Sequence, residues 1–178
     1  MRKIILYIAI SLDGFIARKD DDIKWLTEFP YPENDDYGYA DLLSRIDTTI
    51  MGNATYSVVR DSLEPWPYGD KMSYIFTRSA AGEDTDNIKF IRNDIPAFID
   101  HLQQTPGKDI WLIGGGKLNT LFLQHDWIDE MIIHVIPVII GEGISLFEGS
   151  TFERRFKLEE TQTYSTGVVM LRYSRQNT

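Results

Sequence analysis

Apolar positions run almost unbroken from Ile4 to Ile10 before Ser11, Asp13 and Gly14 interrupt them. A short continuous apolar run bounded by turn residues is the pattern of a strand covered on both faces, so a central strand is expected there. Trp25 to Tyr39, rich in Pro, Asn and Asp, reads as a loop. Tyr39, Leu42, Leu43 and Ile46 then recur at helical spacing and predict a helix over about 36–46. Thr48 to Met51 is β-prone and stops at Gly52, and Ala54 to Arg60 suits a short helix before the breaker Pro65-Trp66-Pro67.

The alternation continues. Ser73–Thr77 and Ile88–Ile91 read as strands, and Pro96–Gln104 reads as a helix with Pro in its first turn. Asp109–Ile113 is another buried strand. It runs into Gly114-Gly115-Gly116, after which Leu118, Leu121, Phe122 and His125 share one helical face. Met131–Ile140 predicts a strand interrupted by Pro137, and Phe156–Tyr164 with Val168–Tyr173 predicts a terminal hairpin around Thr166-Gly167. Strands alternating with helices imply an α/β fold: a mostly parallel central sheet, helices on both faces, and an antiparallel C-terminal hairpin. With 178 residues and no break in composition, residues 1–178 are expected to form one domain.

Charge and cysteine content narrow the function classes. The chain carries 27 acidic against 18 basic residues, a net charge of −9, which argues against a nucleic-acid surface. No apolar stretch approaches the roughly 20 residues of a membrane span, and the N-terminal run is too short for a secretory core with a cleavage site. The absence of cysteine excludes disulfides and thiolate metal sites and fits a reducing cytoplasm, the expected location.

The candidate chemistry sits at strand ends. Ile110 to Lys117 is a buried strand turning through three glycines into a helix. Without Cβ atoms the backbone N–H groups can approach a phosphate, and the helix N-terminus favours its charge; otherwise the glycines make only a tight turn. Ile50-Met51-Gly52-Asn53-Ala54-Thr55-Tyr56 repeats the arrangement, with Thr55 either a ligand contact or a first-turn cap. Thr77-Arg78-Ser79 ends a strand with two hydroxyls around a guanidinium, donors suited to a phosphate monoester, or else a surface Arg between turn residues.

Together with Ser11-Leu12-Asp13-Gly14 and the late segment from Asp129-Glu130 through Pro137 to Gly141-Glu142-Gly143, these motifs occur in an order similar to that of the dihydrofolate-reductase-like superfamily. The chain most resembles the branch typified by the reductase domain of the bifunctional riboflavin-biosynthesis protein, over nearly its whole length. The resemblance implies NADPH as cofactor. Its pyrophosphate would lie on Gly114, Gly115, Gly116 and Lys117, with Leu118 and Asn119 opening the helix. Gly52, Asn53 and Thr55 would contribute from the second turn, and Thr77, Arg78 and Ser79 would hold the 2′-phosphate. Backbone at Ala9 and Ile16 would cradle the nicotinamide. It also implies a homodimer, to which the apolar strand Met131–Ile140 adds an argument.

Two departures matter. The Arg usual in the family's MGRxTY turn is Asn53 here, which leaves Arg78 as the main cation for a 2′-phosphate and weakens the case for NADPH over NADH. Lysines usual on either side of the SLDG loop in riboflavin reductases are absent, with Tyr7 and Phe15 nearby instead, so a phosphoribosyl substrate loses cationic partners. The zinc-deaminase signature H-x-E with P-C-x-x-C is absent as well.

For the proton donor, family spacing counted back from Gly52 reaches Asp36, although an N-cap role is the stronger explanation of that residue; Asp13 is the rival, although Asp-Gly also suits a tight turn. Trp25, Phe29, Tyr31, Tyr37 and Tyr39 could stack a flat heteroaromatic substrate or serve as core. His101, His125 and His134 lack metal-ligand spacing and read as satisfied structural residues, so no metal is expected. Three functions stay open: an NADPH-dependent reductase of a small pterin- or pyrimidine-like heterocycle, the riboflavin-pathway 5-amino-6-(5-phosphoribosylamino)uracil reductase, and a dinucleotide-binding protein without turnover.

Overall fold

The computed structural model of the chain describes residues 1–79 and 82–176. The first apolar run forms strand β1 (Ile4–Ser11), with Ile4, Ile5 and Leu6 wholly buried. Successive strand side chains point to opposite faces, and both faces are covered. Ile4 and Leu6 join a core with Ile99, Leu102, Leu118 and Phe122, whereas Ile5 packs with Leu42, Met51 and Trp111. Each such aliphatic burial contributes about 1.5–3 kcal/mol, which makes β1 the axis of the fold.

Around β1 the chain lays down β2 (Phe15–Ala17), α1 (Lys24–Thr27), α2 (Tyr39–Arg45), β3 (Ile46–Gly52), α3 (Asn53–Ser62), β4 (Met72–Phe76) and β5 (Ile88–Ile91). Then follow α4 (Ile95–Gln104), β6 (Asp109–Gly114), α5 (Gly116–Gln124), β7 (Glu130–Ile136), β8 (Ile144–Ser145), β9 (Phe156–Thr163) and β10 (Val169–Arg175). The main sheet runs β5-β4-β3-β6-β1-β7-β10-β9. Pairings from β5 through β7 are parallel, and β10 is antiparallel to both β7 and β9. Helices α4 and α5 pack in the core that holds Ile4, and α2 and α3 in the one that holds Ile5. The expected mostly parallel sheet with two helical faces and a C-terminal hairpin is what forms.

This topology positions a crevice. β3 and β6 are parallel neighbours, yet the helix after β3 goes to one face and the helix after β6 to the other. Where connections part in this way, the carboxyl ends of the strands frame a cleft open to ligands.

Several boundaries differ from those expected. The segment from Trp25 contains the short helix α1, whose Trp25 is buried against Ile136 and Val168. The next helix begins at Tyr39 rather than near 36, because the Asp36 carboxylate accepts from Gly38 N (3.0 Å) and Ala40 N (2.7 Å) and closes a turn before it. β7 stops at Ile136, since Pro137 has no N–H to give the ladder. The β2–β8 pair, Phe15 opposite Ser145 and Ala17 opposite Ile144, is too short to leave a periodicity.

Candidate active site

A cleft of about 1140 Å³ opens at the carboxyl ends of β1, β3, β4 and β6. At its centre the two glycine turns meet: Met51 pairs with Gly114, and a Cβ added to Gly52 would come 3.8 Å from Gly114 O. Thr55 reaches the same point, its Oγ1 3.3 Å from where a Gly115 Cβ would stand. Gly114 has φ +122°, a conformation open to glycine. Neither α3 nor α5 has a side-chain N-cap, so both present first-turn N–H groups at one cleft.

Twelve of the fourteen residues expected to hold a cofactor line this cleft: Ala9, Ile16, Gly52, Asn53, Thr55, Thr77, Arg78, Ser79, Gly115, Gly116, Lys117 and Leu118. Gly114 and Asn119 stand behind it. Asn119 is wholly buried and donates through Nδ2 to Leu146 O (3.0 Å). With Thr120 Oγ1 donating to Glu148 O (2.9 Å), it straps α5 to the segment after β8. β8 itself comes so close that a Cβ on Gly116 would clash with Ser145 O.

Arg78 is exposed at one end of the cleft beside Thr77 and Ser79, whose hydroxyls are 3.1 Å apart. A second guanidinium, Arg92, lines the same end and was not singled out from the sequence. It donates to Ser79 O (3.3 Å), Phe90 O (3.4 Å) and Gly82 O (2.9 Å), acceptors that the fold alone brings together. Lys117 faces Glu148 at 3.5 Å, an exposed pair of little energetic weight.

The other end is aromatic, walled by Tyr7, Phe29, Tyr31, Tyr37, Tyr39 and Trp111; Trp25 belongs to the core instead. Tyr7 Oη donates to Tyr37 O (3.1 Å) and Trp111 Nε1 to Tyr7 O (3.0 Å), so the rings are fixed to backbone. Desolvation pushes the Tyr7 hydroxyl far above its usual pKa, which keeps it a neutral donor.

The two carboxylate candidates separate. Asp36 lines the aromatic end while also capping the turn before α2. The Asp13 carboxylate accepts from Ser11 Oγ (2.6 Å), Ile140 N (3.3 Å) and Gly141 N (2.8 Å). These donors, Ser11 foremost, stabilise the anion and lower its pKa, and Asp13 clasps two loops outside the residues that line the cleft. His125 stacks on Trp127 with ring centroids 4.4 Å apart. His134 also departs from expectation: it is buried, it lines the cleft, and its Nε2 has no protein partner.

Comparison with known proteins places these features in a family context. The profile of the RibD C-terminal domain matches residues 2–170. The uncharacterized protein YwjB of Bacillus subtilis (strain 168) is 42% identical over 167 residues, covering 94% of this chain and 95% of its own. A solved protein of Shewanella sp. PV-4, assigned to riboflavin biosynthesis, superposes with a TM-score of 0.88 at 28% identity, covering 99% of this chain and all of that one. Dihydrofolate reductase from Enterococcus faecalis, solved with NADP(H), shares the fold at a TM-score of 0.68 and 12% identity, covering 98% and 97%. The fold is dihydrofolate-reductase-like.

Proposed function

Because the chain belongs to the RibD C-terminal domain family, we propose that it is an NADPH-dependent reductase of a small planar heterocycle. One observation carries this reading: two uncapped helix N-termini and two glycine turns converge at the centre of a cleft that carries Arg78 at one end and aromatic rings at the other. About 1140 Å³ exceeds the roughly 300–1,000 Å³ of most single-ligand pockets, which leaves room for a dinucleotide and a second ring.

The residues present suit the cofactor. Backbone N–H groups of Gly116, Lys117 and Leu118 would bind the pyrophosphate, with Gly52, Asn53 and Thr55 opposite them. Thr77, Arg78 and Ser79 would hold the 2′-phosphate, and Ala9 and Ile16 would flank the nicotinamide. When bound, NADPH supplies the hydride; the chain orients both rings and excludes water. Asp36, on the aromatic wall, is the carboxylate left to supply a proton.

Against a phosphoribosyl substrate, the cleft lining offers, besides Arg78, Arg92 and Lys117, only Lys19 among the described lysines and arginines, and Lys19 is paired with Glu142. This favours an uncharged ring over the riboflavin-pathway substrate. NADPH consumption at 340 nm, followed over a panel of pterins, pyrimidines and the phosphoribosylaminouracil, should show turnover with a neutral ring. Turnover with the phosphoribosyl compound alone would favour the second reading. Cofactor binding with no turnover on any ring would favour the non-catalytic one.

A further inference from the structure

His134 sits on β7 directly opposite Ala9 of β1, at the end of the cleft where the nicotinamide is assigned. Its side chain is 3% exposed, yet Nε2 meets no protein group. An apolar side chain would occupy this position at lower cost, because a buried nitrogen without a partner forfeits its hydration. Three phenol rings surround the imidazole: Tyr7 at 4.9 Å, Tyr37 at 5.7 Å and Tyr164 at 6.1 Å between centroids.

We propose that His134 reads the substrate, its Nε2 accepting a hydrogen bond from a ring N–H or amino group of a planar, uncharged nitrogen heterocycle. This rests on the reductase reading and narrows its substrate class. The tautomer follows from the surroundings. The Tyr37 carbonyl acts on the ring and Nε2 has no protein partner, so in the proposed arrangement the ring proton sits on Nδ1 and the Nε2 lone pair is free for the substrate. Burial keeps the imidazole neutral near pH 7, so it accepts rather than donates at that nitrogen. Tyr37 belongs to neither helix nor strand; its Oη meets Pro30 O (3.1 Å) and Thr166 Oγ1 (2.9 Å), and its ring packs edge-on against Tyr164 at 4.7 Å. An entering ring takes the place of the Tyr37 side chain over His134, with the walls of Tyr7 and Tyr39 to stack against.

The test uses two neutral bicyclic probes, lumazine, which has ring N–H groups, and 1,3-dimethyllumazine, in which methyl groups replace them. Each is titrated into the full chain by fluorescence, with and without saturating NADP+. Wild type should prefer lumazine by about tenfold or more. His134→Met should erase that preference by weakening lumazine alone, and His134→Gln should keep part of it. In wild-type protein with 15N-labelled histidine, lumazine but not its dimethyl form should move the Nε2 resonance, a readout independent of how the variants fold. An unchanged preference in His134→Met, an unmoved Nε2 resonance under saturating lumazine, or no lumazine binding would overturn the proposal. Lumazine binding through His134 in a protein that ignores NADP+ would instead overturn the reductase reading alone.

Discussion

Burial lowers the His134 pKa from 6.5 to about 4, chiefly by desolvation, with the Tyr37 carbonyl and Asp35 acting in the opposite sense. Between these values the unfolded chain binds the proton and the folded chain does not. Stability is therefore unaffected above pH 6.5 and falls as pH drops towards 4, by up to about 3 kcal/mol at 1.36 kcal/mol per pKa unit. Urea unfolding of His134→Gln should lack this part of the slope; an identical slope would assign it elsewhere. Arg78 makes a second residue-scale prediction. A charge-assisted contact contributes about 1.5–3 kcal/mol, so Arg78→Ala should weaken NADPH tenfold or more and leave NADH nearly unchanged, while Asn53→Arg should raise the preference. Equal losses for both cofactors would mark Arg78 as structural. Arg78 was legible in the sequence because a strand-end motif surrounds it. Arg92 and His134 were not, since their roles depend on carbonyls and rings that are distant in the chain.

Among the elements, strand and helix cores could be read from periodicity, and their ends were set by caps and partners. The turn before α2 shows why: Asp36 fixes where the helix starts, yet its chain position also matched a proton donor. Asp36→Asn should keep most of the cap and test the proton role, whereas Asp36→Ala should cost about 1 kcal/mol of stability. A loss of turnover in Asp36→Asn at unchanged melting temperature would identify catalysis; unchanged turnover would leave only the cap. Motif glycines also divide by element. Gly116 is required by the close approach of β8 at Ser145, whereas a methyl on Gly115 meets Thr55 Oγ1 at 3.3 Å and Ile16 Cδ1 at 3.9 Å, so only the latter tests ligand binding without a gross clash.

At the scale of the whole molecule, the apolar strand once expected to support a dimer is interior: β7 pairs with β1 and β10, and Met131, Ile133 and Ile136 are buried within the chain itself. The exposed apolar residues near its end are Leu12 and Ile139, 60% and 70% accessible, on loops joined by Leu12 N to Val138 O. We propose a two-fold pair through this patch; sedimentation should show a dimer that Ile139→Asp converts to monomer, and a wild-type monomer at micromolar concentration would refute it. No helix among the described residues is long and apolar enough to cross a membrane. In the proposed function the meeting point of β3, α3, β6 and α5 holds a dinucleotide. The most direct test is NADPH titration followed by energy transfer from tryptophan, since Trp111 lines the cleft. Saturable binding in the wild type that falls at least tenfold in Gly115→Ala, with the melting temperature nearly unchanged, is the predicted result. Equal NADPH affinity in the two proteins would contradict it.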